Sequence, residues 1–182
     1  MTNHAADLQN IYNQYHVLVY NVALNYVQNI EDAEEITQDV FVRVHHGLDK
    51  FDGKSTLKTW IYRIAINKSL DCLKHKNSRK RFFTFGSKSR NETEYLNMSN
   101  FEHPGVLLEN KENAAILYGV INELPENQRT AFILSKLDGL SNPEIAAVME
   151  VSVSSVESLL FRAKAALKEK LSKKFEEYRK KK

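Results

Sequence analysis

The chain has 182 residues, 42% of them hydrophobic and 27% charged, which is ordinary for a globular protein with one domain or two small ones. It has no apolar stretch of the about 18 residues that a membrane span needs, and its N-terminal segment lacks the basic and then apolar parts of a secretory signal. The single cysteine, Cys72, cannot form an internal disulfide, which suggests a reducing compartment, and we expect it to be an inert thiol. Together with the missing membrane span and signal, this predicts a cytoplasmic protein.

Charge is distributed unevenly behind the net value of +3. Residues 63–90 hold nine basic side chains against the single acid Asp71, whereas residues 92–126 hold seven glutamates against Lys111. The C-terminal end is basic again. Two basic zones on either side of an acidic stretch indicate two separate contacts with a polyanion, although solvated helix faces explain the same charges equally well.

Three amphipathic helices are predicted in the N-terminal half, over residues 8–26, 32–48 and 59–76, because apolar side chains recur there at spacings of three and four. Gly53 and Ser55 interrupt the pattern between the second and third helices. A helical domain therefore ends near residue 81. Its expected core positions are Ile11, Tyr15, Leu18, Val19, Val22, Tyr26, Ala33, Ile36, Val40, Phe41, Val44, Leu48, Ile61, Ile64, Ala65, Leu70 and Leu73.

The periodicity fails from residue 83 to about residue 108, where serine, asparagine, glycine and charged residues predict a linker. Helical spacing resumes over residues 114–121 and again over residues 131–137, with a break at Leu124 and Pro125. We therefore predict an all-α chain with two small helical domains, residues 1–82 and 109–182, joined by a flexible linker, residues 83–108.

A helix-turn-helix is predicted in the four-helix C-terminal domain. Ser141, Pro143 and Glu144 form a capping box with proline in the first turn of a short helix. A longer helix, capped by Ser152 or Ser154, begins three residues after the short one and ends in basic residues. A short helix, a tight turn and a longer helix are the layout in which the second helix enters the DNA major groove.

Two long segments, residues 32–74 and 121–167, resemble the second and fourth conserved regions of the extracytoplasmic-function sigma factors of the sigma-70 superfamily, in that family's order. The resemblance implies an alternative sigma factor that binds core RNA polymerase and directs it to specific promoters. It implies no enzymatic activity and no cofactor. The implied partners are core RNA polymerase, promoter DNA and a membrane-bound anti-sigma factor, which members of the family often have.

The resemblance also assigns residues to three surfaces. The residues that would face the polymerase clamp are Glu35, Gln38, Asp39 and Arg43. The residues that would bind the minus-ten element are Phe51, Asp52, Gly53, Lys54, Ser55, Thr59, Trp60, Arg63, Asn67, Lys68, Asp71 and Lys74. Within this set, the segment of residues 51–59 would form the pocket for a flipped base. The residues that would bind the minus-thirty-five element are Ser154, Ser155, Ser158, Phe161 and Arg162.

Some assignments leave alternatives open. Trp60 and Tyr62 lie among basic residues and suit stacking on unpaired bases, but packing in the core is at least as good an explanation, and we favour it for Trp60. Many relatives have basic residues where this chain has Glu157 and Leu159, so promoter contacts there are expected to differ. Glu157 either reads a DNA base or caps its helix through Ser154, and we favour the cap.

Two other classes of function compete with this interpretation. An enzyme lacks candidates, because His45 and His46 point about 100° apart on a helix and the glycines are scattered singly. A dimeric helix-turn-helix regulator with an N-terminal sensor domain explains residues 114–182 equally well. It does not explain a basic, aromatic-containing first domain with an acidic helix before it.

Overall fold

The computed structural model describes residues 4–84 and 111–181, and within these ranges it contains helices and short connections but no strand. The predicted all-α class is therefore confirmed. The chain divides into two compact units, residues 1–83 and 84–182. The expected linker lies outside the described residues apart from its first two, Phe83 and Thr84, which belong to the end of a helix.

The first unit contains three long helices, α1 (His4–Val27), α2 (Ile30–Gly47) and α3 (Leu57–Thr84). Asn29 caps α2, because its side-chain Oδ1 accepts a hydrogen bond of 2.9 Å from the backbone N–H of Asp32. A 3-10 turn follows α2 directly. The chain then reaches α3 through the short segment that the sequence marks with Gly53 and Ser55.

The core of the first unit follows the predicted apolar stripes. Val19, Val40, Val44, Ile61 and Ala65 are fully buried, and each large apolar side chain removed from water stabilises the fold by about 1.5–3 kcal/mol. Not every expected position reaches the interior: the half-buried ones are Tyr15, Leu18, Leu48, Ile64 and Leu73. Ile66 and Ser69 of α3 are buried although the prediction omitted them, and Tyr62, for which packing was one of two expectations, is buried as well.

The second unit contains four described helices, α4 (Lys111–Asn122), α5 (Glu126–Lys136), α6 (Asn142–Met149) and α7 (Val153–Lys181). The long helix α7 contacts each of the other three, so it organises the domain. Its core-facing side chains are Val156, Leu160, Ala163 and Leu167. Among the described helices of both units, none has an apolar stretch of the length that a membrane span requires.

Candidate nucleic-acid interface

Helix α2 presents a polar surface on the side away from its buried stripe. We call Glu35, Gln38, Asp39 and Arg43 the α2 face; all four side chains are exposed, whereas Val40 is fully buried. The face mixes three polar or acidic groups with one arginine, which suits contact with a charged protein surface better than contact with DNA.

The turn before α3 is shaped by an acid-base pair around a glycine. Asp52 Oδ1 accepts the backbone N–H of Lys54 at 3.2 Å, and Asp52 Oδ2 lies 2.6 Å from Lys54 Nζ. Hydrogen bonding from Lys54 lowers the pKa of Asp52. Gly53 between them has φ +71°, a left-handed conformation that favours glycine, so the turn depends on this residue.

Thr56 caps α3, a role that the sequence analysis missed. Its Oγ1 accepts the backbone N–H of Thr59 at 3.1 Å, and the two threonine hydroxyls lie 2.9 Å apart. A threonine just before a helical stretch is a recognisable N-cap signal. Here the neighbouring Gly53 and Ser55 led the sequence analysis to treat the whole segment as a break between helices. The hydroxyl of Thr59, predicted to bind DNA, is thus engaged in the cap.

Trp60 packs against the end of α2. Its ring centroid lies 5.2 Å from that of Phe51, and a Cβ atom added at Gly47 would stand only 2.9 Å from its Cζ2, so the indole needs a glycine there. Trp60 nevertheless stays half exposed, whereas Tyr62 is buried. The structure therefore gives Tyr62 a packing role and leaves part of the Trp60 ring on the surface.

One side of α3 collects five of the twelve predicted minus-ten residues. Trp60, Arg63, Asn67, Asp71 and Lys74 follow one another at spacings of three and four, which places them on a single helix face; we call them the α3 stripe. The last three are exposed and Arg63 is half-buried. The stripe thus offers an amide, a carboxylate and two cations along one line, a set suited to base edges and phosphates.

Lys68 lies beside the α3 stripe and pairs with α2. Its Nζ donates to Asp39 Oδ2 at 2.8 Å. About two helical turns further along α3, Lys76 pairs with Asp32 of α2 in the same way. Cys72 sits half-buried between the two pairs. Burial, and then the nearby Asp32 carboxylate, raise the pKa of its thiol, which disfavours the reactive thiolate.

The helix-turn-helix is stabilised where the sequence predicts. The backbone N–H and the Oγ of Ser141 both donate to Glu144 Oε2, at 2.9 and 2.7 Å, and this capping box opens α6. Glu150 ends α6 with φ 58°, in the left-handed region. The backbone N–H of Val151 then bonds to the Ala146 carbonyl at 3.1 Å, which fixes the turn into α7.

Ser152 is the N-cap of α7. Its Oγ accepts the backbone N–H of Ser155 at 3.2 Å, and the hydroxyls of Ser154 and Ser155 lie 3.0 and 2.8 Å from it. Of the two caps that the sequence left open, Ser152 is therefore the one used. Ser155, predicted to bind DNA, has its hydroxyl occupied in this cluster.

The first turns of α7 present an outward surface opposite the buried stripe. We call Ser154, Ser158, Phe161 and Arg162 the α7 face; all four are exposed. Phe161 is 76% exposed, a large apolar ring with little cover from its own domain. Such a ring beside an arginine and two hydroxyls is suited to the mixed polar and apolar floor of the major groove.

The prediction that Glu157 caps α7 through Ser154 is wrong. The helix begins at Val153, which makes Ser154 a residue of the first turn, and its hydroxyl contacts Ser152. Glu157 is exposed and lies well inside the helix, past the N–H groups that a cap satisfies. Since it lies five residues before Arg162, the two side chains point about 140° apart, on opposite flanks of the α7 face.

We expect Ser152→Ala to lower the stability of the second unit by about 1 kcal/mol, because α7 loses its N-cap, and Glu157→Ala to leave stability unchanged. Urea unfolding of the full chain followed by circular dichroism measures this. Trp60 is the single tryptophan, so its fluorescence reports the first unit and should not change. Equal losses for the two variants would contradict the assignment of Ser152 as the cap.

The described parts of the chain contain no group of three or more histidine, cysteine, aspartate or glutamate side chains placed to hold a metal ion. The adjacent rings of His45 and His46 lie 5.3 Å apart at 45° to each other.

Sequence comparison finds two family matches and relatives that align over most of the chain. Residues 11–79 match the family Sigma-70 region 2, and residues 114–167 match Sigma-70, region 4. The chain is 35% identical over 149 residues to the ECF RNA polymerase sigma-E factor of Escherichia coli K12, covering 77% of this chain and 74% of that protein. It is 30% identical over 158 residues to the RNA polymerase sigma-H factor of Pseudomonas aeruginosa, covering 85% and 80%.

Solved structures show the same fold. CnrH in complex with the cytosolic domain of CnrY matches with a TM-score of 0.62 at 24% identity, over 91% of this chain and 87% of that one. The sigma factor RpoE in complex with the anti-sigma factor NepR, from Bartonella quintana, matches with a TM-score of 0.63 at 21% identity, over 91% and 97%.

Proposed function

Since the chain belongs to the extracytoplasmic-function sigma factors of the sigma-70 family, which are non-enzymatic transcription initiation factors, we propose that it binds core RNA polymerase and directs it to specific promoters. The observation that carries the proposal is the presence of two exposed DNA-suited faces in two separate units. The α3 stripe lies in the first unit and the α7 face in the second.

The α3 stripe is suited to the minus-ten element. Asn67 and Asp71 offer hydrogen-bonding groups for base edges, while Arg63 and Lys74 offer cations for phosphates. The turn with Gly53 precedes the stripe, is exposed, and would hold a base that has left the stack. Capturing that base favours the melted form of the promoter without any chemical step.

The α7 face is suited to the minus-thirty-five element. The capping box of α6 and the N-cap of α7 fix the helix-turn-helix geometry. This layout would let the first turns of α7 enter the major groove. Arg162 has the donor pattern for a guanine or a phosphate. Glu157 on the opposite flank would be repelled by phosphates, so we expect fewer backbone contacts on that side.

The partners follow from the same assignment. The α2 face would dock on the clamp of core RNA polymerase, because its polar residues are exposed and unused by the core. Two structural neighbours were solved with the cytosolic domain of CnrY and with the anti-sigma factor NepR, and an anti-sigma factor, membrane-bound in our hypothesis, is the corresponding partner here. The place of action would be the cytoplasm, with the polymerase. A dimeric regulator with a sensor domain would leave the match of residues 11–79 unexplained.

Asn67→Ala tests the proposal. We expect it to weaken promoter opening while leaving core polymerase binding intact, because Asn67 is exposed on the α3 stripe and lies outside the α2 face. Permanganate footprinting of unpaired thymines measures opening, and a core-binding assay runs beside it. Asn21→Ala, which removes an exposed amide on α1 outside both faces of the first unit, is the control and should change neither. Loss of core binding in Asn67→Ala with normal opening per bound complex would overturn the assignment.

A further inference from the structure

Two residues that the proposed function gives to different partners are paired with each other. Asp39 belongs to the α2 face, which would dock on polymerase, and Lys68 lies beside the α3 stripe, which would bind DNA. Lys68 Nζ donates to Asp39 Oδ2 at 2.8 Å across 29 positions of sequence. In this structure, therefore, the positive charge of Lys68 is largely neutralised by the Asp39 carboxylate of α2.

The pair is accessible to both partners. The Lys68 side chain is 39% exposed and that of Asp39 is 56% exposed, so either can exchange its partner without unfolding. The neighbouring pair of Asp32 and Lys76 differs, because the Asp32 side chain is only 18% exposed and less open to exchange. The Asp39–Lys68 pair is thus the exchangeable one along the contact of α2 with α3.

We propose that the Asp39–Lys68 ion pair couples polymerase docking to DNA binding. A cationic group of polymerase that takes Asp39 releases Lys68 for a phosphate of the DNA strand, and a phosphate that takes Lys68 releases Asp39 for polymerase. The coupling is reciprocal, as linkage requires. It rests on the proposed function and adds to it a contact that restrains DNA binding by the free chain.

The size of the coupling follows from exposure. Exposed ion pairs are weak because water screens them and long side chains lose freedom when held. We therefore expect an effect of about two- to five-fold in DNA affinity. This effect on DNA affinity is small, but it favours DNA binding once the chain has bound polymerase.

The test measures binding of the free full-length chain to labelled oligothymidylate by fluorescence anisotropy over a salt series. Asp39→Asn should raise affinity about two- to five-fold and steepen the salt dependence by about 0.7, the increment of one phosphate contact on a single strand. Lys68→Gln alone should not raise the affinity, because it leaves no cation at this position that could be released to a phosphate. The double variant should exceed Lys68→Gln by no more than the gain from removing one carboxylate elsewhere on α2.

Glu34→Gln is the matched control. Glu34 is an exposed carboxylate on α2 outside the α2 face, so this variant reports the effect of simply removing one negative charge. Asp39→Asn must exceed it. Equal effects, or a gain from Asp39→Asn in the Lys68→Gln background that exceeds the gain from Glu34→Gln, would overturn the coupling.

A holoenzyme arm separates this inference from the proposed function. With core polymerase bound, Lys68 is released, so Lys68→Gln should now weaken promoter binding about two- to five-fold. No difference there would also overturn the inference. A wild-type chain that binds neither core polymerase nor the oligonucleotide at low salt would instead contradict the proposed function itself.

Discussion

Promoter duplex should bind the chain at least about 100-fold more tightly in the presence of core RNA polymerase than in its absence. The α3 stripe and the α7 face lie in separate units, and each offers only a few base contacts, so either face alone binds weakly. When both are held on one partner, the second contact becomes intramolecular, which raises its effective concentration. Anisotropy of a labelled promoter duplex, titrated with the chain alone, core alone and both at fixed salt, measures the gain.

The control for this experiment changes the α2 face. Gln38→Ala combined with Arg43→Ala should reduce the gain by weakening core binding, while the affinity of the chain alone for the duplex stays the same. A duplex with both promoter elements scrambled should also lose the gain. Equal affinity with and without core enzyme, together with a dimer in gel filtration, would favour a dimeric regulator over a sigma factor.

Arg162→Ala should lower the affinity of the holoenzyme for its promoter by about 1–3 kcal/mol if the guanidinium contacts a base of the minus-thirty-five element. Arg162 is exposed on the α7 face, and a bidentate contact to guanine accounts for a cost of that size. The loss should then be confined to promoters with the native base at that position. If Arg162 contacts only phosphate, the loss should be the same for all sequences and the salt dependence should fall by about one.

Lys173→Ala is the matched control for the loss of a basic side chain. Lys173 lies on the same helix, about 16 Å further along, and its Nζ already pairs with Glu169 Oε1 at 2.7 Å. We expect it to leave promoter affinity and sequence preference unchanged. Circular dichroism first confirms that each variant is folded, and promoter selection is then repeated with both to test whether Arg162 contributes to sequence preference. An effect of Lys173→Ala equal to that of Arg162→Ala would show that net charge alone sets the affinity.

Local patterns in the sequence determined most of the fold. The spacing of Val40 and Val44 predicted which side of α2 is buried, and the Ser141 and Glu144 pair predicted the start of α6, because both depend on helix periodicity and on groups three or four residues apart. The helical class and the helix-turn-helix follow from such short-range regularities. The division of residues between polar faces and buried stripes was predictable for the same reason.

Tertiary structure decided how residues far apart in sequence meet. The pairing of Lys68 with Asp39 depends on the register of α3 against α2, which no periodicity within one helix specifies. The packing of Trp60 against Gly47 likewise depends on the position of one helix end relative to the next helix. The sequence by itself therefore determined the helices and their outward faces, whereas only the packing of one helix on another decided which charges on those faces neutralise each other.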